Sequence, residues 1–207
     1  MKAYKFRGPG QIQFALDIIF NQRLFCANWT ALNDPMEGAF QPRSILAANG
    51  GRRKQVEQII EEKMKLRVCS LAKDFRSHLL WAHYAEGFSG LAIEVELPSH
   101  TDEITPVDYR EAHAWTTSLE VISPPQAARE ILSSKFKEWT YEGEVRVLQQ
   151  GEWYELSKPV KRIICGHRMA PSLYQALEII CERQEIEILR THITEKGVRS
   201  LADFDMS

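Results

Sequence analysis

Short apolar segments with strand or helix periodicity follow one another from Ala3 to Ile193, with no repeat, low-complexity tract or flexible linker between them. In a chain of 207 residues of which 44% are hydrophobic, such a succession can bury one continuous core. We therefore predict a single α+β domain over residues 1–195. It should contain about seven to nine strands, in a mixed and mostly antiparallel sheet, flanked by about four or five helices. Residues 196–207 are predicted to be a frayed tail.

Two stretches give the clearest local predictions. The first stretch predicts an opening β-α-β unit, with a strand over Ala3–Arg7, a helix over Gln11–Asn21 and a strand over Leu24–Ala27. The second is Ser-Pro-Pro-Gln at 123–126, which is typical of a helix start because Ser can cap the first turn and Pro fits its first position. Apolar positions after it predict a helix face that continues to Trp139.

Charge and cysteine content narrow the classes of protein. The formal net charge is −2, so no basic surplus requires nucleic acid as a partner. The first residues lack the apolar segment of a signal peptide, and no apolar run reaches the length of a membrane span. The 4 cysteines include no Cys-x-x-Cys pair and lie mostly in apolar runs, which indicates buried reduced thiols. We therefore predict a cytoplasmic protein without membrane association.

The segment Trp139–Val147 carries the most suggestive polar pattern. Side chains alternate between the two faces of a strand, so Glu142, Glu144 and Arg146 should share one face, opposite Tyr141. One explanation is a solvated strand face with an ion pair along it. The functional alternative is a pair of catalytic carboxylates at the edge of a cleft, with Arg146 contacting substrate and setting their charge state.

The sequence Asn-Asp-Pro-Met-Glu at 33–37 is a second candidate. Asp34, Pro35 and Glu37 match a capping box on one helical turn, which explains these residues structurally. Alternatively, Asp34 or Glu37 binds a substrate hydroxyl or a hard metal ion. Two carboxylates without further oxygen ligands are a weak metal signal, and no metal is predicted.

Four other polar residues could bind a ligand. His83 and Tyr84 lie in a short predicted helix, where an amphipathic helix packed on the sheet would account for them. Arg7 ends the first strand beside a Gly-Pro-Gly turn and could bind a phosphate or carboxylate, although most such arginines are surface residues. The Ser70 hydroxyl at a strand end is no more specific by itself.

Several short motifs follow one another along nearly the whole chain. They are Tyr4–Arg7, Asn33–Glu37, Cys69–Ser70, Trp81–Ala85, Gly90–Glu94, Val107–Tyr109, Trp139–Arg146 and Ile163–Gly166. Taken in this order, they resemble the bacterial family called domain of unknown function 2971, and the combination is more specific than any single motif. The resemblance implies a bacterial protein of unassigned activity, from a family whose members are often suspected of roles in phage defence.

A second resemblance is to the ADP-ribosyltransferase fold. Arg7, Ser70 and Glu144 occur in the order of its site residues, and Glu142-Gly143-Glu144 is similar to its Glu-x-Glu signature. The resemblance implies NAD as co-substrate, with Arg7 binding a phosphate or ribose and Ser70 bracing the site. Glu144 would bind the nicotinamide ribose and stabilise the positive charge that develops there, and Glu142 would position the acceptor.

These observations give one leading function and two alternatives. The leading one is an NAD-dependent ADP-ribosyltransferase-like enzyme, a bacterial toxin or phage-defence effector with a protein or nucleic-acid acceptor. His83 and Tyr84 would then contribute to NAD binding. The first alternative is a non-catalytic sensor or partner-binding module. The second is a metal-dependent nuclease built from Asp34, Glu37, Glu142 and Glu144. The sequence leaves the oligomeric state open.

Overall fold

A computed structural model of the chain describes residues 1–32, 34, 38, 50–99, 101–111 and 122–200. They form an α+β domain in which helices cover a mixed, mostly antiparallel sheet, which confirms the predicted fold class. The helices are α1 (Ile12–Asn21), α2 (Gly50–Lys65), α3 (His78–Tyr84), α4 (Pro124–Leu132) and α5 (Pro171–Arg183).

Most strands belong to one sheet. The strands are β1 (Lys2–Arg7), β2 (Arg23–Phe25), β3 (Ala27–Asn28), β4 (Arg67–Ala72), β5 (Leu91–Glu96), β6 (Ile104–Pro106), β7 (Asp108–Arg110), β8 (Ser134–Phe136), β9 (Glu144–Gln149), β10 (Trp153–Glu155), β11 (Arg162–Cys165), β12 (Glu187–Thr194) and β13 (Gly197–Ser200). The described part of the main sheet has the order β13-β12-β11-β5-β1-β4-β9-β6, with β3 added beside β4. Within it β11 and β12 are parallel, whereas β2–β10 and β7–β8 form two small separate sheets.

The main sheet opens between β1 and β4. Strand β1 pairs with β5 along its whole length, and β4 pairs with β9 in the same way. Between β1 and β4, by contrast, the paired residues of these two described strands are Tyr4 and Ala72 alone. Beyond that pair, Lys5–Arg7 and Cys69–Leu71 face each other without a ladder of hydrogen bonds. We call this gap the sheet split, and it sets the position of the site.

The two faces of the sheet bury different clusters. On one face, Ala15 and Ile19 of α1 and Leu177 of α5 pack with sheet residues such as Ile93 in the largest cluster. On the other face, Trp81 of α3 packs in a smaller cluster with β1 and β5. Burial of these apolar side chains provides the main driving force for folding, and it fixes α3 beside the sheet split.

A strained turn follows α3 and brings the chain close to the end of β1. Glu86 and Phe88 have φ values of 46° and 70°, which side-chain-bearing residues rarely adopt. The turn can pack this closely because glycines lie where its backbone meets neighbouring segments. A Cβ at Gly90 would lie 2.0 Å from the carbonyl oxygen of Arg7, and one at Gly166 would lie 2.0 Å from that of Phe88.

Two predictions about the ends of the domain are wrong. The opening β-α-β unit does not form, because β2 pairs with β10 in a separate sheet rather than beside β1. Periodicity identifies a strand and its faces, but it does not identify the partner strand. The predicted tail is also corrected, since Gly197–Ser200 pairs with β12 as an edge strand. Residues 201–207 lie outside the described residues.

The predicted long helix after residue 123 is too long. It begins at Pro124 as expected but ends at Leu132. The hydroxyl of Ser133 donates to the carbonyl of Arg129 at 2.8 Å, and that of Ser134 donates to Glu130 at 2.6 Å. Such local bonds compete with the helix ladder and favour its end. Residues 134–136 then form β8, so Lys135 belongs to a strand.

The strand that was predicted to carry both Glu142 and Glu144 begins later than predicted and contains only Glu144. Gly143, with a φ of 50°, ends a 3-10 turn over Lys137–Glu142, and β9 begins at Glu144. Glu142 therefore reaches Glu144 from the turn and not along the strand face. Tyr141, predicted on the core face, lies in the same turn and is half-buried.

Candidate functional site

A cavity of about 430 Å³ lies at the sheet split. Its wall is built from β1, β4, α3, the 3-10 turn before β9 and the start of β9. The structure brings seven of the predicted site residues to this wall. They are Arg7, Asp34, Ser70, His83, Tyr84, Glu142 and Glu144. Of the two other candidates, Glu37 lies outside the described residues, and Arg146 is not among the residues that line the cavity.

Glu144 is the most firmly held carboxylate in the cavity. Its Oε1 accepts from Arg146 Nε at 2.7 Å, and its Oε2 accepts from Arg146 Nη2 at 3.2 Å and from Lys135 Nζ at 3.4 Å. Ser70 of the neighbouring strand β4 also favours the ionised form of Glu144. Burial alone would raise the pKa of Glu144, but Arg146 and Lys135 outweigh it and hold the pKa at about 2. Glu144 is therefore ionised at neutral pH.

Glu142 lies beside Glu144 and has a different environment. Its Oε2 accepts from Lys135 Nζ at 2.6 Å, and its Oε1 accepts from the Tyr84 hydroxyl at 2.5 Å. Burial raises the pKa of Glu142 above its usual value, although the hydrogen bonds from Lys135 and Tyr84 oppose this. Two neighbouring carboxyl groups with pKa values moved in opposite directions are the arrangement that acid–base chemistry uses.

Lys135 joins the two carboxylates and was not predicted as a site residue. Its side chain is only 5% exposed and lines the cavity. The ammonium also lies 4.5 Å from the ring centroid of Trp139, which contributes to the same wall. We call Glu142, Glu144, Lys135 and Arg146 the acidic end of the site. The structure thus gives its two carboxylates two buried cations.

Arg146 does not occupy the position predicted for it. Its guanidinium is fully buried behind Glu144, where Nη1 donates to the carbonyl of Leu132 at 2.6 Å, and Arg146 is not among the residues that line the cavity. The prediction that it contacts substrate is therefore wrong. Its effect on the charge state of Glu144 is as predicted, because a guanidinium at this distance favours the ionised carboxylate.

The opposite wall of the cavity carries two cations from β1. Arg7 Nε is buried and has no hydrogen-bond partner among the described residues, while Nη1 makes a long contact of 3.4 Å with the Phe6 carbonyl. Lys5 Nζ crosses the sheet split to the carbonyl of Ser70 at 2.7 Å. We call Lys5 and Arg7 the cationic end. Burial lowers the pKa of both side chains. An anionic ligand bound here would favour their protonated, positively charged forms.

The remaining predicted residues surround these two ends. Tyr84 contacts the acidic end, and burial together with its bond to Glu142 raises the pKa of the phenol. His83 is exposed on α3, and its ring lies 6.1 Å from that of Tyr141 at the margin of the cavity. Asp34 contributes to the wall, but the rest of its predicted capping box lies outside the described residues.

Two signals for the missed residues were present in the sequence. Lys5 precedes Arg7 by two positions, so the strand pleat that was applied to Glu144 and Arg146 also places Lys5 and Arg7 on one side. Lys135 follows a Ser-Ser pair, and serine is unfavourable in the interior of a helix. This pair indicated that the predicted helix could end before Lys135.

No protein-family model, curated protein or solved structure that was compared with the chain matches it. The resemblances noted in the sequence therefore stay predictions. Among the described residues, no group of three or more His, Cys, Asp or Glu side chains is placed to hold a metal ion. No helix in the described ranges is long and apolar enough to cross a membrane.

Proposed function

We propose that the chain binds NAD in this cavity and transfers its ADP-ribosyl group to an acceptor. The supporting observation is that Arg7, Ser70, Tyr84 and Glu144, from β1, β4, α3 and β9, all line this one cavity. A concave pocket in which several polar and titratable groups converge is the usual form of a ligand site. The volume of about 430 Å³ lies within the range of small-molecule sites.

The cationic end is suited to the phosphates of the ligand. Arg7 has a buried Nε without a partner in the described ranges, and a buried unpaired donor costs free energy until it finds an acceptor. A phosphate oxygen would satisfy this donor and accept a second hydrogen bond from the same guanidinium. Lys5 adds positive charge on the same wall. Most of the binding energy should therefore come from this end.

The acidic end is suited to the bond that breaks. In ADP-ribosyl transfer the bond between the ribose carbon and the nicotinamide nitrogen breaks, and its electron pair leaves with nicotinamide. The ribose carbon becomes positively charged and then bonds to the acceptor. Glu144 is ionised and fixed by Arg146, so it can stabilise this charge without reorganising.

Glu142 is suited to the acceptor. Its raised pKa makes it a better proton acceptor than an ordinary carboxylate, and Tyr84 and Lys135 fix its two oxygens. Glu142 would orient the acceptor nucleophile and receive its proton as the new bond forms. The resemblance to the 2971 family supports a toxin or phage-defence effector that modifies a protein or a nucleic acid.

A ligand-binding assay and an activity assay test the proposal. NAD at millimolar concentration should raise the melting temperature of the chain, and nicotinamide should be released slowly. Glu144→Gln should reduce nicotinamide release by about 100-fold or more, because an aligned electrostatic stabiliser is lost. The matched control is Glu94→Gln. This carboxylate is also buried and paired with Lys2 and Arg162, but it lies outside the cavity.

Folding of the Glu144 variant needs its own check, because Arg146 loses its counter-charge. Circular dichroism should show native secondary structure before activity is compared. Arg7→Met provides a second variant that leaves the acidic end intact and should weaken stabilisation by NAD. If NAD neither stabilises the wild-type chain nor yields nicotinamide, the proposed activity is wrong.

One observation favours a second candidate, a non-catalytic sensor that binds the ligand without breaking it. Lys135 and Arg146 already compensate the negative charges of both carboxylates. Little net negative charge is then left to stabilise a positive charge on the ribose carbon. A sensor would be stabilised by NAD but release no nicotinamide, and Glu144→Gln would retain binding. The same ion pairs disfavour a nuclease, since a metal ion would have to displace both cations from Glu142 and Glu144.

A further inference from the structure

Two cysteines oppose each other beside the cavity. Strands β3 and β4 are antiparallel, with Ala27 opposite Val68 and Asn28 opposite Arg67. Continuing this register by one residue places Cys26 opposite Cys69. Opposed residues in antiparallel strands have Cα atoms about 4.5–5.5 Å apart, which lies within the range that a disulfide spans. With this register, the two Cα atoms would be near enough for a Cys26–Cys69 bond.

The side chains of the two cysteines belong to one buried cluster. Gln149 Nε2 donates to Cys26 Sγ at 3.5 Å, and the Cys26 thiol donates to the carbonyl of Leu24 at 3.9 Å. The proximity of Cys26 is the main cause that lowers the pKa of Cys69 to about 6, and Lys5 and Arg7 add to it against the effect of burial. Of the two thiols, Cys69 is therefore the one whose thiolate form its surroundings favour.

Access to Cys69 runs through the cationic end. Both cysteines are buried, at 0% and 1% exposure, but Lys5, whose charge helps to lower the pKa of Cys69, also lines the cavity. The sulfur therefore lies one side chain away from a space that admits a small oxidant. The neighbours of Cys69 in β4, Val68 and Ser70, line the same cavity.

We propose that Cys26 and Cys69 form a peroxide-reactive dithiol that closes to a disulfide in the wall of the cavity. Cys69 is the attacking sulfur and Cys26 the resolving one. The Cys69 thiolate attacks hydrogen peroxide, the O–O bond breaks, and a sulfenic acid and hydroxide form. The Cys26 sulfur then displaces the sulfenic oxygen, which leaves as water after taking up a proton. Overall, two thiols and one peroxide give one disulfide and two waters.

The other two cysteines provide a matched control within the same chain. Cys165 and Cys181 are equally buried, at 0% and 1% exposure. Burial raises the pKa of Cys165 to about 12 and that of Cys181 to about 11. Neither contacts a cation that lines the cavity, among the described residues. Reactivity confined to the first pair would therefore reflect its environment rather than burial.

The test is peroxide oxidation of the full reduced chain at pH 7, followed by alkylation under unfolding conditions and mass spectrometry of the peptides. We expect a peptide linked through Cys26 and Cys69, two hydrogens lighter than the sum of its parts. We also expect the pair to react more than about tenfold faster than Cys165 or Cys181, because the thiolate is the reactive form. Equal oxidation of all four cysteines, or no linked peptide, would overturn the proposal.

Single variants separate the two roles. Cys26→Ala should leave a sulfenic acid on Cys69 that dimedone traps, whereas Cys69→Ala should leave Cys26 unoxidised. If Cys69→Ala does not fold, the pH dependence of the wild-type reaction replaces it. The rate should rise through a pKa near 6, and a rise only above pH 8 would contradict the assignment of Cys69 as the attacking sulfur. None of these outcomes depends on NAD.

Discussion

The two ends of the cavity differ in how their buried charges are compensated. At the acidic end, Arg146 and Lys135 pair with Glu144 and Glu142 at 2.6–3.4 Å, so the protein itself compensates each charge. At the cationic end, Arg7 Nε is buried with no partner in the described part of the chain. The acidic end is therefore complete without a ligand, whereas the cationic end still needs one.

This difference separates stability from affinity. Breaking a buried ion pair leaves an uncompensated charge and costs much of the stability of a domain, whereas removing an unpaired buried charge costs little. Conversely, a ligand gains most where it satisfies groups that the protein leaves unsatisfied. We therefore expect substitutions at the acidic end to change folding and chemistry, and those at the cationic end to change binding.

The largest expected effect compares one arginine from each end. Arg146→Met should lower the free energy of unfolding by about 3–5 kcal/mol, because Glu144 loses its closest cation. Arg7→Met should change it by less than about 1 kcal/mol, because a poorly paired charge is replaced by an apolar chain. Urea unfolding of both variants and the wild type measures the difference. Equal losses at the two positions would show that the two ends are not distinct.

The second largest expected effect is the loss of stability at acidic pH. The pKa of Glu144 is lower in the folded chain than its usual value, so its ion pairs stabilise the fold above about pH 4.5. This contribution, on the order of 3 kcal/mol, should be lost as the pH falls from about 4.5 to 2. Unfolding at several pH values checks it. In Glu144→Gln the same interval should be flatter, and an unchanged slope would contradict the low pKa.

Lys135→Met should have a smaller effect on stability, about 1–3 kcal/mol, because Glu142 can take up a proton when its cation is lost. The pKa of Glu142 should then rise further above its usual value. Carbon-13 NMR titration of the glutamate carboxyl groups measures this directly. If the titration of Glu142 is the same in the variant and the wild type, Lys135 does not set its charge state.

The smallest effect is expected at Lys137, which serves as a control for Lys135. Its ammonium pairs with Glu111 at 2.6 Å on the surface, where both side chains are more than half exposed. An exposed pair of this kind contributes less than about 0.5 kcal/mol. Lys137→Met should therefore match the wild type in unfolding and in the glutamate titration. A loss like that of Lys135→Met would mean that burial is not what distinguishes these lysines.

The sequence predicted the residues of the site better than their arrangement. Residue type, chain order and a fold resemblance selected Arg7, Ser70 and Glu144, and all three line one cavity. The strand pleat predicted that Glu144 and Arg146 share one face, and in the structure their side chains are paired. Lys135 was missed because apolar spacing past Leu132 continued to match a helix, while the Ser133 and Ser134 hydroxyls end that helix.

The sheet split was beyond prediction for a different reason. An alternating pattern determines which side chains of β1 and β4 face the core, but it is the same whether or not the two backbones are bonded. The cavity results from that missing ladder. No single residue type in the sequence indicates where this ladder stops. Its end depends on contacts between residues that are distant in sequence.

The sheet split also has a consequence for solvent exchange. Backbone amides in the middle of a large sheet are ordinarily among the slowest in a protein to exchange with deuterium, since only extensive unfolding opens them. Here two strands in the middle of the sheet each have a stretch that is paired on one side only, around Lys5–Arg7 and Cys69–Leu71. Deuterium labelling should reveal a fast-exchanging seam at the centre of the domain, and a ligand that bridges it should slow it.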